Sequence, residues 1–191
     1  RAVLLVLSGI GKVAAATTTA LLLDRFAVDA ILFTGVAGGL GAGVRVGDVV
    51  IGDSLLQHDL DASPIFPRWE VPLTGLSRFA ADRAWSDTLA EAAQASGHAV
   101  HRGLIVSGDR FVATAAESNS LRAALPDALA VEMEGAAVAQ VCHDFGRPFA
   151  VMGPQVGYFY PQFLMELDLH GGGIDARGAA FPRLSHYERV G

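Results

Sequence analysis

The chain has 191 residues, of which 51% are hydrophobic and 18% are charged, so it is long enough for one domain with a buried core and too apolar for intrinsic disorder. Acidic side chains number 20 against 14 basic ones, for a net charge of −6. This balance argues against nucleic-acid and anionic-membrane partners, because both require a cationic surface. No apolar run approaches the roughly 20 residues that cross a bilayer. The single cysteine, Cys142, excludes an intrachain disulfide framework and favours a cytoplasmic location.

Apolar runs followed by glycines alternate with a helical stretch in the first part of the chain. Strands buried on both faces are predicted at residues 2–7, 29–33 and 47–56. Residues 12–25 predict an alanine- and leucine-rich helix, whereas the glycines of residues 34–43 oppose regular structure. Three prolines make residues 57–75 a long irregular loop, and loops of this length tend to be functional.

The alternation continues to residue 152. Further strands are predicted at residues 100–106, 128–131 and 149–152, and helices at residues 80–96, 114–125 and 135–145. Gly97 is placed to cap the first of these helices, Thr114 to begin the second and Pro126 to stop it. Strands alternating with helices predict an α/β domain with a largely parallel sheet between helical layers.

The two ends of the chain differ from this pattern. We expect a core domain at residues 1–152 and an atypical, weakly structured tail at residues 153–191, because the tail is rich in glycine and has no helical period. The chain starts at Arg1 and is already apolar at the second residue. We therefore expect the complete protein to have further residues before Arg1.

Small and polar residues follow three of the predicted strands, at residues 8–11, 34–43 and 107–109. In a parallel α/β sheet, ligands bind beyond the carboxyl ends of the strands. Backbone amides exposed by glycines suit polar ligand edges, although each loop alone is equally well explained as a tight turn. The spacing of residues 39–43 is G-x-G-x-G, with no helix after it, which excludes the dinucleotide fingerprint.

The tripeptide of Glu132, Met133 and Glu134 is the most unusual local feature. In an extended segment, residues two apart share a face, so both carboxylates are predicted to point to the same side. Such a pair can bind a sugar diol or transfer protons. Acidic residues at a helix start are also favoured by the helix dipole alone, so both interpretations stay open.

No other catalytic arrangement is apparent in the sequence. There is no G-x-S-x-G nucleophile elbow, and the six histidines have no metal-ligand spacing. Cys142 precedes His143 on a predicted helix, where the two side chains diverge, and we expect this cysteine to be a small core hydrophobe.

Five motifs, taken in order, resemble the 5′-methylthioadenosine/S-adenosylhomocysteine nucleosidases of the nucleoside phosphorylase superfamily. They are SGIGKVAA at residues 8–15, TGVAGGL at 34–40, VGDVV at 46–50, RGLIVSGD at 102–109 and VEMEGAA at 131–137. The resemblance covers roughly residues 3–151. Each motif alone is a weak signal, but five in this order are a strong one.

The resemblance implies a three-layer αβα sandwich with a central mixed, largely parallel sheet. It implies hydrolysis of the N-ribosyl bond of adenine thionucleosides, with release of adenine in methionine salvage. No metal or organic cofactor is implied, since acid–base and electrostatic effects suffice for this hydrolysis. The implied partner is a small purine nucleoside, and the implied assembly is a homodimer with the 57–75 loop near the interface.

The resemblance also assigns roles to individual residues. The implied substrate-binding residues are Gly38, Phe111, Val112, Met133 and Glu134. The implied supporting residues are Val36, Ser107, Asp109 and Glu132. Glu134 would grip the ribose hydroxyls and Met133 would lie beneath the sugar, while Phe111 would stack on the purine. Because bond cleavage builds positive charge on the ribose, a carboxylate there stabilises the transition state.

Two family positions have no counterpart in this chain. The general base would lie before Arg1, and the position of the general acid falls on Gly157. Losing one proton-transfer group typically costs about 100- to 10,000-fold in rate, so we expect this chain to bind a nucleoside poorly and to turn it over hardly at all. A purine phosphorylase is one alternative, disfavoured because Phe33 stands where phosphorylases carry an arginine for phosphate. A non-catalytic, truncated or degenerate homologue is the other.

Overall fold

A computed structural model describes residues 3–156, which form seven strands and four helices. The helices are α1 (Lys12–Arg25), α2 (Arg83–Ala95), α3 (Ala115–Ala124) and α4 (Gly135–Asp144). The strands are β1 (Ile31–Thr34), β2 (Ala37–Gly39), β3 (Val49–Gln57), β4 (Phe79–Ala80), β5 (Val100–Ser107), β6 (Ala128–Glu132) and β7 (Phe149–Val156).

The strands form one mixed sheet in the order β1-β7-β2-β6-β5-β3-β4. The pairs β1–β7, β2–β7, β3–β5 and β5–β6 are parallel, and the remaining pairs are antiparallel. An additional β7–β3 pairing curls the sheet so that β7, β2, β6, β5 and β3 form a closed ring. Because β5 and β6 are parallel neighbours, Ser107 and Glu132 end their strands side by side.

Helices cover both faces of the sheet, which confirms the predicted layering. Val50 of β3 packs into the cluster that contains the alanines of α4, and α1 lies against α4. The neighbouring residue Ile51 points to the opposite face, where it packs with Ala90 and Ala93 of α2. Helix α3 packs against the sheet through Leu121. The core therefore lies between the curled sheet and these helices.

The caps of the helices account for where they begin and end. Helix α1 spans the predicted residues, whereas α2 begins three residues later than predicted because Asp82 caps it by accepting Trp85 N at 3.0 Å. Ala80, the second residue of β4, stands at the predicted first position of α2. Thr114 and Glu117 form the capping box of α3, which confirms Thr114 as the helix start.

The predicted strand at residues 2–7 is wrong over the part that the structure describes. Residues 3–7 are assigned to no strand, and their side chains are exposed, Val3 to 89%. The backbone donors and acceptors of a strand need partners on a neighbouring strand. An apolar segment without such a neighbour therefore does not form a strand. None of the described strands pairs with this segment.

The glycine-rich segment and the last strand also differ from prediction. Gly38 pairs with Val131 of β6 on one side and with Val156 of β7 on the other, so part of the predicted irregular segment is a strand. Glycine fits where two backbones approach closely. Strand β7 runs past residue 152, so the expected boundary at 152/153 falls inside it. The expected weak structure of the tail and the position of Gly157 concern residues outside the described ones.

Within residues 3–156, no helix is both long enough and apolar enough to cross a membrane.

Candidate active site

The buried foundation of the site is a contact between the ends of β5 and β6. Ser107 is fully buried, and its hydroxyl donates to the Glu132 carboxylate while its Oγ accepts Ala136 N at 2.7 Å. The other carboxylate oxygen of Glu132 accepts Glu134 N at 2.8 Å and Gly135 N at 2.7 Å. Glu132 and Ser107 therefore hold the turn that leads from β6 into α4.

Burial and hydrogen bonding shift the pKa of Glu132 in opposite directions. Burial raises the pKa of this carboxyl to about 7, although the hydrogen bonds from Ser107 and from the backbone oppose the shift. The carboxyl is turned towards the first backbone N–H groups of α4, which is the usual place for an acidic cap. Glu132 acts on the backbone of its own turn.

Glu134 reaches in a different direction from Glu132. It occupies the N-cap position of α4, is half-buried, and accepts Gly11 N on Oε1 at 2.6 Å. This hydrogen bond joins the end of β6 to the glycine turn before α1, across 123 positions of sequence. The two carboxylates of the tripeptide thus have separate partners, and only that of Glu134 contacts the glycine turn.

The glycine turn before α1 lies between two carboxylates. Gly11 has φ 93°, a left-handed conformation that favours glycine, and a Cβ there would come within 3.1 Å of Asp109 Oδ1. Asp109 Oδ1 accepts Lys12 N at 2.7 Å. The N–H groups of the N-cap residue Gly11 and of Lys12, the first residue of α1, are therefore taken by Glu134 and Asp109.

The side chain of Lys12 links this turn to two strand ends. Its Nζ lies 2.7 Å from Asp59 Oδ1 and 3.1 Å from Gln57 Oε1. Asp59 Oδ2 in turn accepts Asp109 N at 2.8 Å. Burial alone would raise the pKa of Asp59, but the hydrogen bonds from Lys12 and Asp109 N lower it. We refer to Lys12, Gln57, Asp59 and Asp109 as the Lys12 network.

Sequence reasoning missed three members of the Lys12 network. It singled out Asp109 as a supporting residue but gave no role to Lys12, Gln57 or Asp59. The available signal was weak: a polar run at residues 57–59 directly follows a predicted buried strand. Such a run at a strand's carboxyl end is where a ligand site is expected.

The remaining predicted site residues lie around the same edge of the sheet. Val36 directly precedes β2, and β2 is antiparallel to β6, so Val36 lies near the carboxyl end of β6. Phe111 follows β5 and is 59% exposed, and Met133 is half-buried between the two glutamates. The apolar side chains of Phe111 and Val36 make none of the hydrogen bonds described above. Val112 packs against the core cluster that contains Leu121 of α3.

Two residues considered for other chemistry are part of the core. The ring of Phe33 is half-buried and packs against the main cluster, and Cys142 is fully buried. Burial raises the pKa of the Cys142 thiol to about 12, which confirms this residue as a core hydrophobe. Among residues 3–156, no three His, Cys, Asp or Glu side chains are grouped so that they could hold a metal ion.

Comparison with known proteins gives the family. The model of the phosphorylase superfamily matches residues 1–152. A 5′-methylthioadenosine/S-adenosylhomocysteine nucleosidase of Anoxybacillus flavithermus is 40% identical over 182 residues, which are 88% of this chain and 76% of that protein. The chain belongs to the 5′-methylthioadenosine/S-adenosylhomocysteine nucleosidase family. Enzymes of this nucleosidase family are hydrolases of N-ribosyl bonds.

Solved structures of the nucleosidase family share the fold. The nucleosidase of Neisseria meningitidis, solved in complex with methylthio-immucillin-A, is 44% identical with a TM-score of 0.75, covering 80% of this chain and 66% of that one. The S-adenosylhomocysteine nucleosidase of Streptococcus pyogenes, in complex with 5-methylthiotubericidin, is 34% identical with a TM-score of 0.74, covering 79% and 64%. The predicted phosphorylase-like fold is confirmed, and the chain spans about two thirds of these proteins.

Proposed function

We propose that this site serves the hydrolysis of the N-ribosyl bond of adenine thionucleosides, with Glu134 as the anchor of the ribose. In this reaction the bond between C1′ and the purine nitrogen breaks, water supplies the hydroxyl on C1′, and adenine leaves with a proton. The observation that carries the proposal is the Glu134 carboxylate, which is fixed at the glycine turn by Gly11 N and accepts no other protein hydrogen bond among the described residues.

The charge of the site supports this reaction. Asp59, Asp109 and Glu134 bring three carboxylates to the edge of the sheet, and the ammonium of Lys12 is the cation among them. A net negative site stabilises the positive charge that grows on the ribose as the purine departs. The same charge disfavours phosphate as a co-substrate, and Phe33 packs in the core at the position where phosphorylases carry a cation.

The purine end of the pocket rests on the residues that follow β5. We propose that the exposed ring of Phe111 stacks on adenine while the backbone of Val112 bonds its edge. Gly38 and Val36 would line the opposite wall, with Met133 beneath the sugar. Ser107, Asp109 and Glu132 would support the pocket without touching the nucleoside. No cofactor takes part in the proposal.

The role of Glu134 as the ribose anchor is tested by how far binding affinity depends on the sugar hydroxyls. Glu134→Gln is expected to raise the dissociation constant of 5′-methylthioadenosine about tenfold or more, because a hydrogen bond to a charged group contributes about 1.5–3 kcal/mol. The matched control is Glu91→Gln, on the exposed side of α2. Calorimetric titration with 5′-methylthioadenosine and its 2′,3′-dideoxy analogue measures the effect. Equal affinities of wild type and Glu134→Gln for the hydroxylated nucleoside would contradict the proposal.

Turnover distinguishes the three candidate functions. Because Gly157 stands at the position of the family's general acid, we propose that this 191-residue chain releases adenine about 100- to 10,000-fold more slowly than an ordinary nucleosidase. A coupled adenine assay with and without phosphate measures this. Dependence on phosphate would favour a phosphorylase, and a nucleoside that does not bind at all would favour a non-catalytic homologue. Turnover at an ordinary rate would contradict the slow-enzyme proposal.

We further propose a homodimer in the cytoplasm, with the 57–75 loop near its interface. The exposed side chains of Ile65 and Leu73 in this loop support an apolar contact. Light scattering after gel filtration measures the mass, and Leu73→Asp is expected to shift it towards the monomer. A monomeric wild type over the whole concentration range would overturn this assembly.

A further inference from the structure

We propose that Lys12 is a positioning residue that holds the Glu134 carboxylate in the orientation needed to bind a ribose. The inference rests on the proposed function of Glu134 and adds a residue to which the family resemblance gave no role. Lys12 is not expected to touch the nucleoside. It acts by fixing the glycine turn, whose Gly11 N–H is the hydrogen-bond partner of Glu134.

The glycine turn cannot hold Glu134 unaided. Gly9 and Gly11 both have positive φ angles, of 80° and 93°, and glycine has more conformational freedom than any other residue. The hydrogen bond from Gly11 N to Glu134 Oε1, at 2.6 Å, therefore orients the carboxylate only if something else immobilises the turn.

Lys12 immobilises the turn through both its backbone and its side chain. Its backbone N donates to Asp109 Oδ1 at 2.7 Å, and its Nζ donates to Asp59 Oδ1 at 2.7 Å. The Lys12 side chain is only 17% exposed, so water screens these contacts less than it screens a surface ion pair. Since Asp59 Oδ2 also accepts Asp109 N, the two aspartates and Lys12 form a closed ring.

This ring is also connected to α4, the helix whose N-cap is Glu134. Lys12 Nζ donates to Gln57 Oε1 at 3.1 Å, and Gln57 Nε2 donates to Gln140 Oε1 at 2.7 Å. Gln140 lies on α4, whose N-cap is Glu134. Lys12 thus links both ends of the Gly11–Glu134 contact, one through the chain and the other through Gln57 and α4.

Electrostatic repulsion among the carboxylates supports the same role for Lys12. Without the ammonium group, Asp59 and Asp109 would repel each other and Glu134 across the glycine turn, because like charges raise the energy of a compact arrangement. The nearby cation Arg110 is paired with Glu117 and does not replace Lys12. Removing the positive charge of Lys12 is therefore expected to release the turn and the Glu134 side chain with it.

A double-mutant cycle tests the coupling between Lys12 and Glu134. Dissociation constants of 5′-methylthioadenosine and its 2′,3′-dideoxy analogue are measured by calorimetry for wild type, Lys12→Met, Glu134→Gln and the double variant. Lys12→Met is expected to weaken the hydroxylated nucleoside roughly tenfold, within the range for residues of one network. The dideoxy analogue should change by less than about twofold, and the double variant should bind no more weakly than Glu134→Gln.

Three further variants keep the test decisive. Asp59→Asn preserves shape and should weaken the hydroxylated nucleoside in the same direction, so it replaces Lys12→Met if that variant does not fold. Lys12→Arg keeps the charge and should restore part of the affinity. Arg78→Met removes a cation from an ion pair with Asp127 elsewhere on the surface and should leave both affinities unchanged.

The outcomes separate this inference from the proposed function. Equal weakening of both nucleosides, or additive effects in the double variant, would make Lys12 a structural residue and overturn the inference. A wild type that prefers the hydroxylated nucleoside while Lys12→Met and Asp59→Asn keep that preference would overturn the inference alone. A wild type without the preference would overturn the proposed role of Glu134, and the inference with it.

Discussion

Two charged clusters in this molecule each place one cation between two aspartates, with different consequences. In the Lys12 network, one ammonium lies between Asp59 and Asp109 at the carboxyl ends of the strands. In the second cluster, which we call the Arg102 cluster, Arg102 lies between Asp53 of β3 and Asp87 of α2. The hydrogen bonds that Arg102 donates to Asp87 and Asp53 raise its pKa, so the Arg102 cluster is also well paired.

The two clusters differ in the burial of their side chains and in the segments that they join. The side chains of Lys12 and Asp59 are 17% and 29% exposed, against 35% and 49% for Arg102 and Asp53, whereas Asp109 is as exposed as Asp53. The Arg102 cluster links neighbouring elements that already share a sheet and its packing. The Lys12 network instead orders the turn before α1, which has no strand ladder of its own. The number of ion pairs is therefore a poor guide to their importance; solvent screening and the segment that they hold decide it.

The largest effect on stability is expected at Glu132, where β6 ends. Glu132→Ala should lower the free energy of unfolding by about 3 kcal/mol or more, because it leaves the Ser107 hydroxyl and two backbone N–H groups buried without a partner. Urea denaturation measures it, with Glu91→Ala on exposed α2 as the control. A loss for Glu132→Ala no greater than that of the control would show that water replaces the carboxylate without cost.

The pH dependence of stability should come from the same residue. Its pKa is raised from 4.5 to about 7 in the folded chain, so the folded state binds the proton more tightly than the unfolded state. Its contribution to stability is therefore fully present below pH 4.5 and is lost as the pH rises through 7.

Comparison of wild type with Glu132→Gln isolates this contribution from that of other titrating groups. The difference in unfolding free energy, wild type minus variant, should fall by about 1–3 kcal/mol between pH 5 and pH 8 and then level off. Denaturation at fixed ionic strength across this range measures it. A difference that does not vary with pH would mean that Glu132 titrates alike in both states.

The smallest and most direct test uses matched aspartates from the two clusters. Asp59→Asn should lower the unfolding free energy by about 1–3 kcal/mol, because it weakens charge-assisted hydrogen bonds to a largely buried ammonium. Asp53→Asn should lower the unfolding free energy by about 1 kcal/mol or less, and this loss should be smaller in high salt. Denaturation at low and high salt compares them. Equal costs would remove the distinction between the clusters.

Local patterns account for much of the fold. The alanine- and leucine-rich composition of residues 12–25 gives the full extent of α1, and Thr114 marks the start of α3 because its capping-box partner Glu117 is only three residues away. The sequence also predicts strands that end at residues 106 and 131, one residue before Ser107 and Glu132, which lie side by side in the sheet. These features depend on interactions within a few positions of the chain or on a simple rule for parallel strands.

The features that the sequence did not predict all depend on partners that are distant in the chain. Strand β2 is built from glycines that oppose strand formation locally, and it exists because β6 and β7 pair with it on both sides. Residues 3–7 have strand-forming side chains but no strand beside them in the described part of the chain. Lys12 is unremarkable in sequence because its partners lie 45 to 97 positions away.

The position of β7 has a consequence for how the molecule opens. This strand pairs with β1, β2 and β3, and its residues Ala150 and Val151 are fully buried. Freeing it would break three ladders at once, so no small local fluctuation exposes its amides. In deuterated water, we expect these amides to exchange last and to report the global unfolding free energy.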